Sequence, residues 1–161
     1  MDKTDAPASA EQQYSTFYIS NRLYGIDVTE VQEIVKPMPV TPIPLAPTYV
    51  KGLINLRGQV ATAIGLRELF GIEEEPPENY MNVVCRIENS LISFQIDMIG
   101  DVKYVSAANF EPSPQTIPER VRKFMEGVYK VDGELLSVIK INLVMNNLNQ
   151  SNVAAASEIA S

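Results

Sequence analysis

One structural plan is written twice along this chain. Gly52-Leu53-Ile54-Asn55-Leu56-Arg57-Gly58-Gln59-Val60 returns 75 residues later as Gly127-Val128-Tyr129-Lys130-Val131-Asp132-Gly133-Glu134-Leu135, and Ile64 and Leu66 meet Ile139 and Ile141 at the same offset. Upstream, Ile26-Asp27 with Val31-Gln32-Glu33-Ile34 is echoed by Ile96-Asp97 with Ile99-Gly100-Asp101-Val102, at an offset of 70 falling to 68. A repeated strand-turn-strand plan predicts two similar β-modules, with a surface between them suited to holding another protein.

Alternation of apolar and polar residues supports strands. Phe17 and Ile19 share one face; Tyr24, Ile26 and Val28 share another after a turn at Asn21-Arg22. Val60, Thr62, Ile64 and Leu66 alternate with Ala61, Ala63 and Gly65, and Ile92, Phe94 and Ile96 alternate with Ser93, Gln95 and Asp97 after a turn at Glu88-Asn89-Ser90. Asp132-Gly133 is the strongest hairpin signal, because both residues tolerate the positive φ of a type I′ turn, and Arg57-Gly58 stands in the equivalent place. Helix is scarce: Leu66–Phe70 reads as one turn stopped by Gly71, and Glu119 to Met125 as another with Val121, Phe124 and Met125 inward. Many short strands at this spacing predict barrels or a sandwich.

Two connections are irregular by composition. Lys36 to Pro47 holds five prolines and cannot be regular helix or central strand, and Glu73-Glu74-Glu75-Pro76-Pro77-Glu78 reads as a solvated linker between the copies. A third runs from Pro112 to Pro118. Residues 1–13 and 149–161 are small and polar, the first expected to be flexible and the second a flexible or frayed-helix tail.

The function classes narrow by elimination. Net charge is −7 and no Lys/Arg block interrupts it, which argues against a nucleic-acid partner. The absence of histidine removes Ser-His-Asp and Cys-His catalysis, His-bound metal and phosphohistidine relay. There is no Walker loop and no GxGxxG after a strand, so no cofactor is expected. The lone Cys85 lies in Val83-Val84-Cys85-Arg86-Ile87, a buried strand rather than a nucleophile's setting, and suits a reducing cytosol. Residues 1–13 lack a signal-peptide core and no run approaches 18 apolar residues, so the expectation is a cytoplasmic protein without membrane insertion.

Two short strings carry the binding signal. Within Lys51 to Gly58, Gly52 permits close backbone approach, Gly58 accommodates a hairpin, and Arg57 extends a guanidinium from the turn, either toward a partner or onto a nearby carboxylate that positions the loop. In Val31-Gln32-Glu33-Ile34, Val31 and Ile34 face inward beside a displayed Glu33. The proline run contains PxxP spacings but joins strands of one domain, which favours a structural loop over a ligand for another protein. Asp27 and Asp97 read as outward strand residues rather than a catalytic pair.

These residues resemble the CheW-like family of chemotaxis coupling proteins. The likeness rests on Phe17, Tyr24-Gly25-Ile26-Asp27, Val31 to Ile34, Pro47, Val50 to Gly58 and Leu66-Arg67, and continues more weakly through Ile96-Asp97, Asp101-Val102, Gly127 and the last strand pair. It implies an all-β fold of two SH3-like, five-stranded barrels with a few short helices over residues 14–148, barrel one roughly 14–75 and barrel two roughly 80–148, with strand exchange between them left open. It implies a non-enzymatic adaptor linking chemoreceptor tips to a CheA-type histidine kinase, recruited to membrane-associated receptor arrays, with other CheW-like domains as further partners in rings. Couplers of non-flagellar pathways such as type IV pilus twitching share the fold. Carried over by position, Val31, Gly52 and Val102 match receptor-facing places; Glu33 and Arg57 match polar contacts, with Asn55 and Gly58 in the same string. Two positions depart: Gly65 stands where the family commonly has aspartate, and Met98 where glycine often follows the Ile-Asp pair.

Overall fold

The computed structural model describes residues 11–150. The described residues form ten strands: β1 (Glu11–Ile19), β2 (Arg22–Asp27), β3 (Val31–Val35), β4 (Val50–Leu56), β5 (Gln59–Gly65), β6 (Met81–Ile87), β7 (Ser90–Ile96), β8 (Met98–Ser106), β9 (Met125–Val131) and β10 (Glu134–Ile139). The described residues also form three α-helices, α1 (Leu66–Phe70) and α2 (Glu119–Arg122) between strands and α3 (Ile141–Gln150) after β10. The tight hairpins follow from turn chemistry. Ser20-Asn21, Arg57-Gly58 and Asp132-Gly133 all hold positive φ, the type I′ requirement, so β2 begins one residue earlier than the Asn21-Arg22 turn implies.

Hydrogen bonding gives two five-stranded sheets, β8-β1-β2-β10-β9 and β3-β6-β7-β5-β4, each curled into a small barrel. Advancing every strand by five places converts the second order into the first, so the sequence repeat is a structural pseudo-twofold. The units of pairing are not residues 14–75 and 80–148. Each sheet joins the first two strands of one copy to the last three of the other, through parallel contacts of β2 with β10 and of β7 with β5. The exchange follows from covering edges, since a parallel partner at β2 and β7 leaves no central strand unpaired.

Symmetry extends to irregularities. Opposite the β4–β5 hairpin and the β9–β10 hairpin, one residue is extra in the same place, Lys51 between the pairs Val50–Ile64 and Gly52–Ala63, and Glu126 between Met125–Ile139 and Gly127–Val138. Next to each bulge a connection crosses the strand. Thr41 exchanges two backbone hydrogen bonds of 2.8 Å with Leu53, and Glu111 exchanges bonds of 2.9 and 2.8 Å with Val128. A Cβ on Gly52 would overlap the Thr41 carbonyl, and one on Gly127 would overlap Phe110 and the Glu111 carbonyl. The repeated glycine is thus a crossing point for backbone.

Burial divides into three layers. Ile54, Leu56, Ala61, Ala63, Val84 and Leu91 fill one barrel; Tyr14, Leu23, Tyr129, Leu136 and Val138 fill the other. The largest cluster lies between them and includes Phe17, Tyr24, Ile26, Ile64, Val83, Phe94 and Ile139 with the apolar faces of the helices. Strands β6 and β7 are buried on both sides, which is why Val83-Val84-Cys85 and Leu91-Ile92 read as continuous apolar runs.

Three further sequence expectations change. Residues 11–13 belong to β1, where Glu11, Gln12 and Gln13 pair with Ser106, Val105 and Tyr104; polar side chains suit an edge whose stabilisation is backbone pairing. Residues 149 and 150 belong to α3, whose Ile141, Val144 and Leu148 are buried at helical spacing. Leu66 opens α1, as the pattern from Leu66 to Gly71 implies. Helix α2 ends at Arg122, and Met125 already starts β9. The expectations for residues 1–10 and 151–161 lie outside the described residues.

Candidate protein-binding site

The β4–β5 hairpin ends in the Arg57-Gly58 turn, and Asn55 Oδ1 accepts the Gly58 N–H at 2.9 Å, fixing the turn. Across the barrel mouth, a bulge between Val31 and Glu33 in the pairing of β3 with β6 re-aims Glu33. Its carboxylate accepts the Arg57 guanidinium in an ion pair. Arg57 is 72% exposed and Glu33 is 23% exposed. A pair so open to water adds at most about 1 kcal/mol to stability, so its effect is to hold a guanidinium edge at the barrel end. Arg86 adds to the rim, donating to Gln32 at 2.9 Å and to Gln59 at 3.0 Å.

The seven residues singled out from sequence separate into groups. Glu33, Asn55, Arg57 and Gly58 form this one cluster. Val31 packs at its foot against the shared core, while its neighbour Ile34 is exposed, not inward as the pattern implied. Gly52 is buried beneath Thr41, so its part is to let the crossing segment pass. Val102 lies on the other sheet, exposed on β8 with Met98 and Tyr104 at alternate positions of the same strand. By the pseudo-twofold, β8 is the counterpart of β3, so each barrel offers one edge strand bearing exposed aliphatics.

Asp97 is not an ordinary outward residue. Arg67 of α1 grips it through Nε to Oδ1 at 2.9 Å and Nη2 to Oδ2 at 2.5 Å, and the Ser20 N–H adds a bond of 2.8 Å. Burial pushes the carboxyl upward, but the Arg67 hydrogen bonds, the Ser20 amide and the guanidinium charge outweigh it, and Asp97 titrates below the usual aspartate value. The same bonds raise Arg67. This clasp ties the β1–β2 turn of one sheet to α1 and β7 of the other. Asp27, its partner in the repeat, only caps a 3-10 turn at Thr29. The repeat breaks at this point, since Arg67 has Asn142 as its counterpart at the 75-residue offset.

The two departures acquire structural settings. Gly65 leaves α1 without a side-chain cap, and a Cβ there would meet Glu68, whose carboxylate pairs with Lys51 at 2.8 Å. Glu68 therefore brings a carboxylate to the place an aspartate at 65 would occupy. Met98 is exposed at the start of β8. Cys85 is fully buried; burial, then the Glu30 charge, push its thiol far up, so it is no nucleophile at neutral pH. No helix among the described residues is long and apolar enough to cross a membrane.

Residues 13–149 match the family model for the CheW-like domain. The chain belongs to the CheW-like domain family. It is 34% identical over 140 residues to the chemotaxis protein CheW of Treponema pallidum, covering 84% of this chain and 82% of that one. The chemotaxis protein CheW of Thermotoga maritima is 23% identical over 146 residues, 91% of this chain and 95% of its own length. Among solved structures, the scaffolding protein TtCheW of Thermoanaerobacter tengcongensis superposes with a TM-score of 0.72 at 30% identity, over 80% of this chain and 88% of that one. The paired five-stranded sheets are thus those of a CheW-like domain.

Proposed function

We propose that this CheW-like chain couples a chemoreceptor to a histidine kinase. It is a chemotaxis scaffold and not an enzyme. Its partners are the cytoplasmic tip of a methyl-accepting receptor, a CheA-type kinase regulatory domain and, in larger assemblies, further CheW-like domains; the receptor brings it to the membrane-associated array. The observation that carries this reading is the Glu33–Arg57 pair displayed at a barrel end, beside the exposed Ile34 of an edge strand.

The chemistry is recognition. Apolar side chains on β3 and β8, Val31, Ile34, Val102 and Met98, supply area for a receptor helix, while the charged rim sets register and rejects wrong partners. An ion pair that adds little in water gains weight once docking excludes solvent. Signal passes only where receptor state changes the relative stability of two placements of the kinase domains, which requires contacts that differ between them.

Glu33→Lys places two cations together at the rim and removes the Arg57 partner. The expected result is at least a tenfold weaker capture of receptor or kinase fragments, roughly 1.4 kcal/mol, with an unchanged circular dichroism spectrum. Unaltered capture of both fragments removes Glu33 from the contact.

A further inference from the structure

We propose that the cavity bounded by the β1–β2 turn, the start of β10 and helices α1 and α2 binds a small organic anion, a carboxylate carried on an apolar body. The cavity measures about 500 Å³. That lies within the range of small-molecule pockets, roughly 300–1,000 Å³. Its floor is core: Tyr24, Phe70, Ile117 and Val121 are all buried. It shares no residue with the Glu33–Arg57 rim.

The charges at its wall define the ligand. Among the described residues, Arg57, Arg67, Arg86 and Arg122 each donate to a side-chain acceptor. Arg22 and Arg120 are the remaining arginines of the chain, and both line this cavity. Arg120 is also seated. Its guanidinium fills the space over Gly71, the left-handed cap of α1, where any side chain would collide with it. The wall holds one carboxylate, Glu134, which accepts the Tyr18 hydroxyl at 3.0 Å. Two guanidiniums against one engaged carboxylate leave a cationic pocket in a chain of net charge −7. Guanidinium geometry matches a carboxylate with two parallel hydrogen bonds, and the apolar floor takes the body attached to it.

A small molecule fits better than a protein surface. The large exposed apolar side chains, Ile34, Leu45, Met98, Val102, Tyr104 and Phe110, all lie away from this cavity, so its apolar area is inside and not on the rim. Helix α1 continues β5 of one sheet and α2 leads into β9 of the other. An occupant touches both halves of the pseudo-twofold at once, and its binding is linked to how they sit against each other.

The test titrates the isotope-labelled full chain with octanoate and, separately, with octanol, following backbone amides by NMR. Saturable shifts confined to residues 21–24, Gly71, Arg120 and Ser137 are expected, with octanol at least tenfold weaker. In the double variant Arg22→Gln, Arg120→Gln, octanoate affinity falls at least tenfold while circular dichroism is unchanged. Shifts that are absent, non-saturating or scattered, equal affinity for octanol, or undiminished octanoate binding by the folded variant would each overturn the proposal.

Discussion

Gly52 and Gly58 stand six residues apart in one hairpin and respond to different constraints. Gly58 has φ near +90° with open space where a side chain would go, so only backbone strain opposes substitution. Gly52, at φ near +140°, also lies under the Thr41 carbonyl, whose paired hydrogen bonds with Leu53 leave it no freedom to retreat. Gly58→Ala should cost about 1 kcal/mol, whereas Gly52→Ala should cost roughly 3 kcal/mol or more. Urea unfolding of the two variants gives the comparison directly; equal losses would mean that the crossing contact is soft. Sequence placed both glycines and the tight turn, because turn chemistry is local. It left open whether Arg57 meets a carboxylate of its own chain, because the bulge that turns Glu33 toward it depends on pairing with β6, where Glu33 lies opposite Val84.

Helix α1 ties the two sheets by charge, through Arg67 and Asp97. Its cap at Gly71 was readable from the pattern Leu66 to Gly71, but the Arg67–Asp97 clasp was not, since a strand-end aspartate looks alike whether its partner is water or guanidinium. The two side chains are only 11% and 15% exposed, so breaking the pair leaves a charge poorly solvated. Asp97→Asn should lower stability by about 2–4 kcal/mol at neutral pH. The folded carboxyl titrates below its unfolded value. Its contribution is therefore complete above the unfolded pKa of about 3.9 and disappears as pH falls through the lower, folded one. The gap between parent and variant should hold steady from pH 7 to pH 5 and close in more acid solution. Parallel curves down to pH 2.5, followed by chemical denaturation, would deny the clasp. Helix α3 escaped notice because its apolar residues follow β10 without a break, and the change of period shows only at Val144 and Leu148.

Over the whole molecule the repeat announced two modules but not their wiring. Periodicity reports which face of a strand is buried; it carries no information on which neighbour supplies the hydrogen bonds. The parallel joins of β2 to β10 and of β7 to β5 make each sheet a product of both halves. Fragments cut at the linker near residue 76 should each lack a complete sheet and remain largely unfolded, yet regain the β-sheet spectrum of the intact chain when mixed. Independent folding of either fragment would be inconsistent with the exchange. That interlocking gives the Glu33–Arg57 rim and the β8 face fixed positions on one rigid body, as a bridge between two partners requires.

Bridging itself is best measured by reconstituting a receptor cytoplasmic fragment and a CheA-type kinase with the intact chain, and following kinase autophosphorylation as the chain is added. Activity should rise several-fold with the parent protein and fall back toward the level without it for a folded Arg57→Ala variant. An unresponsive kinase, or full activation by Arg57→Ala, would contradict the coupling role and the rim assigned to it.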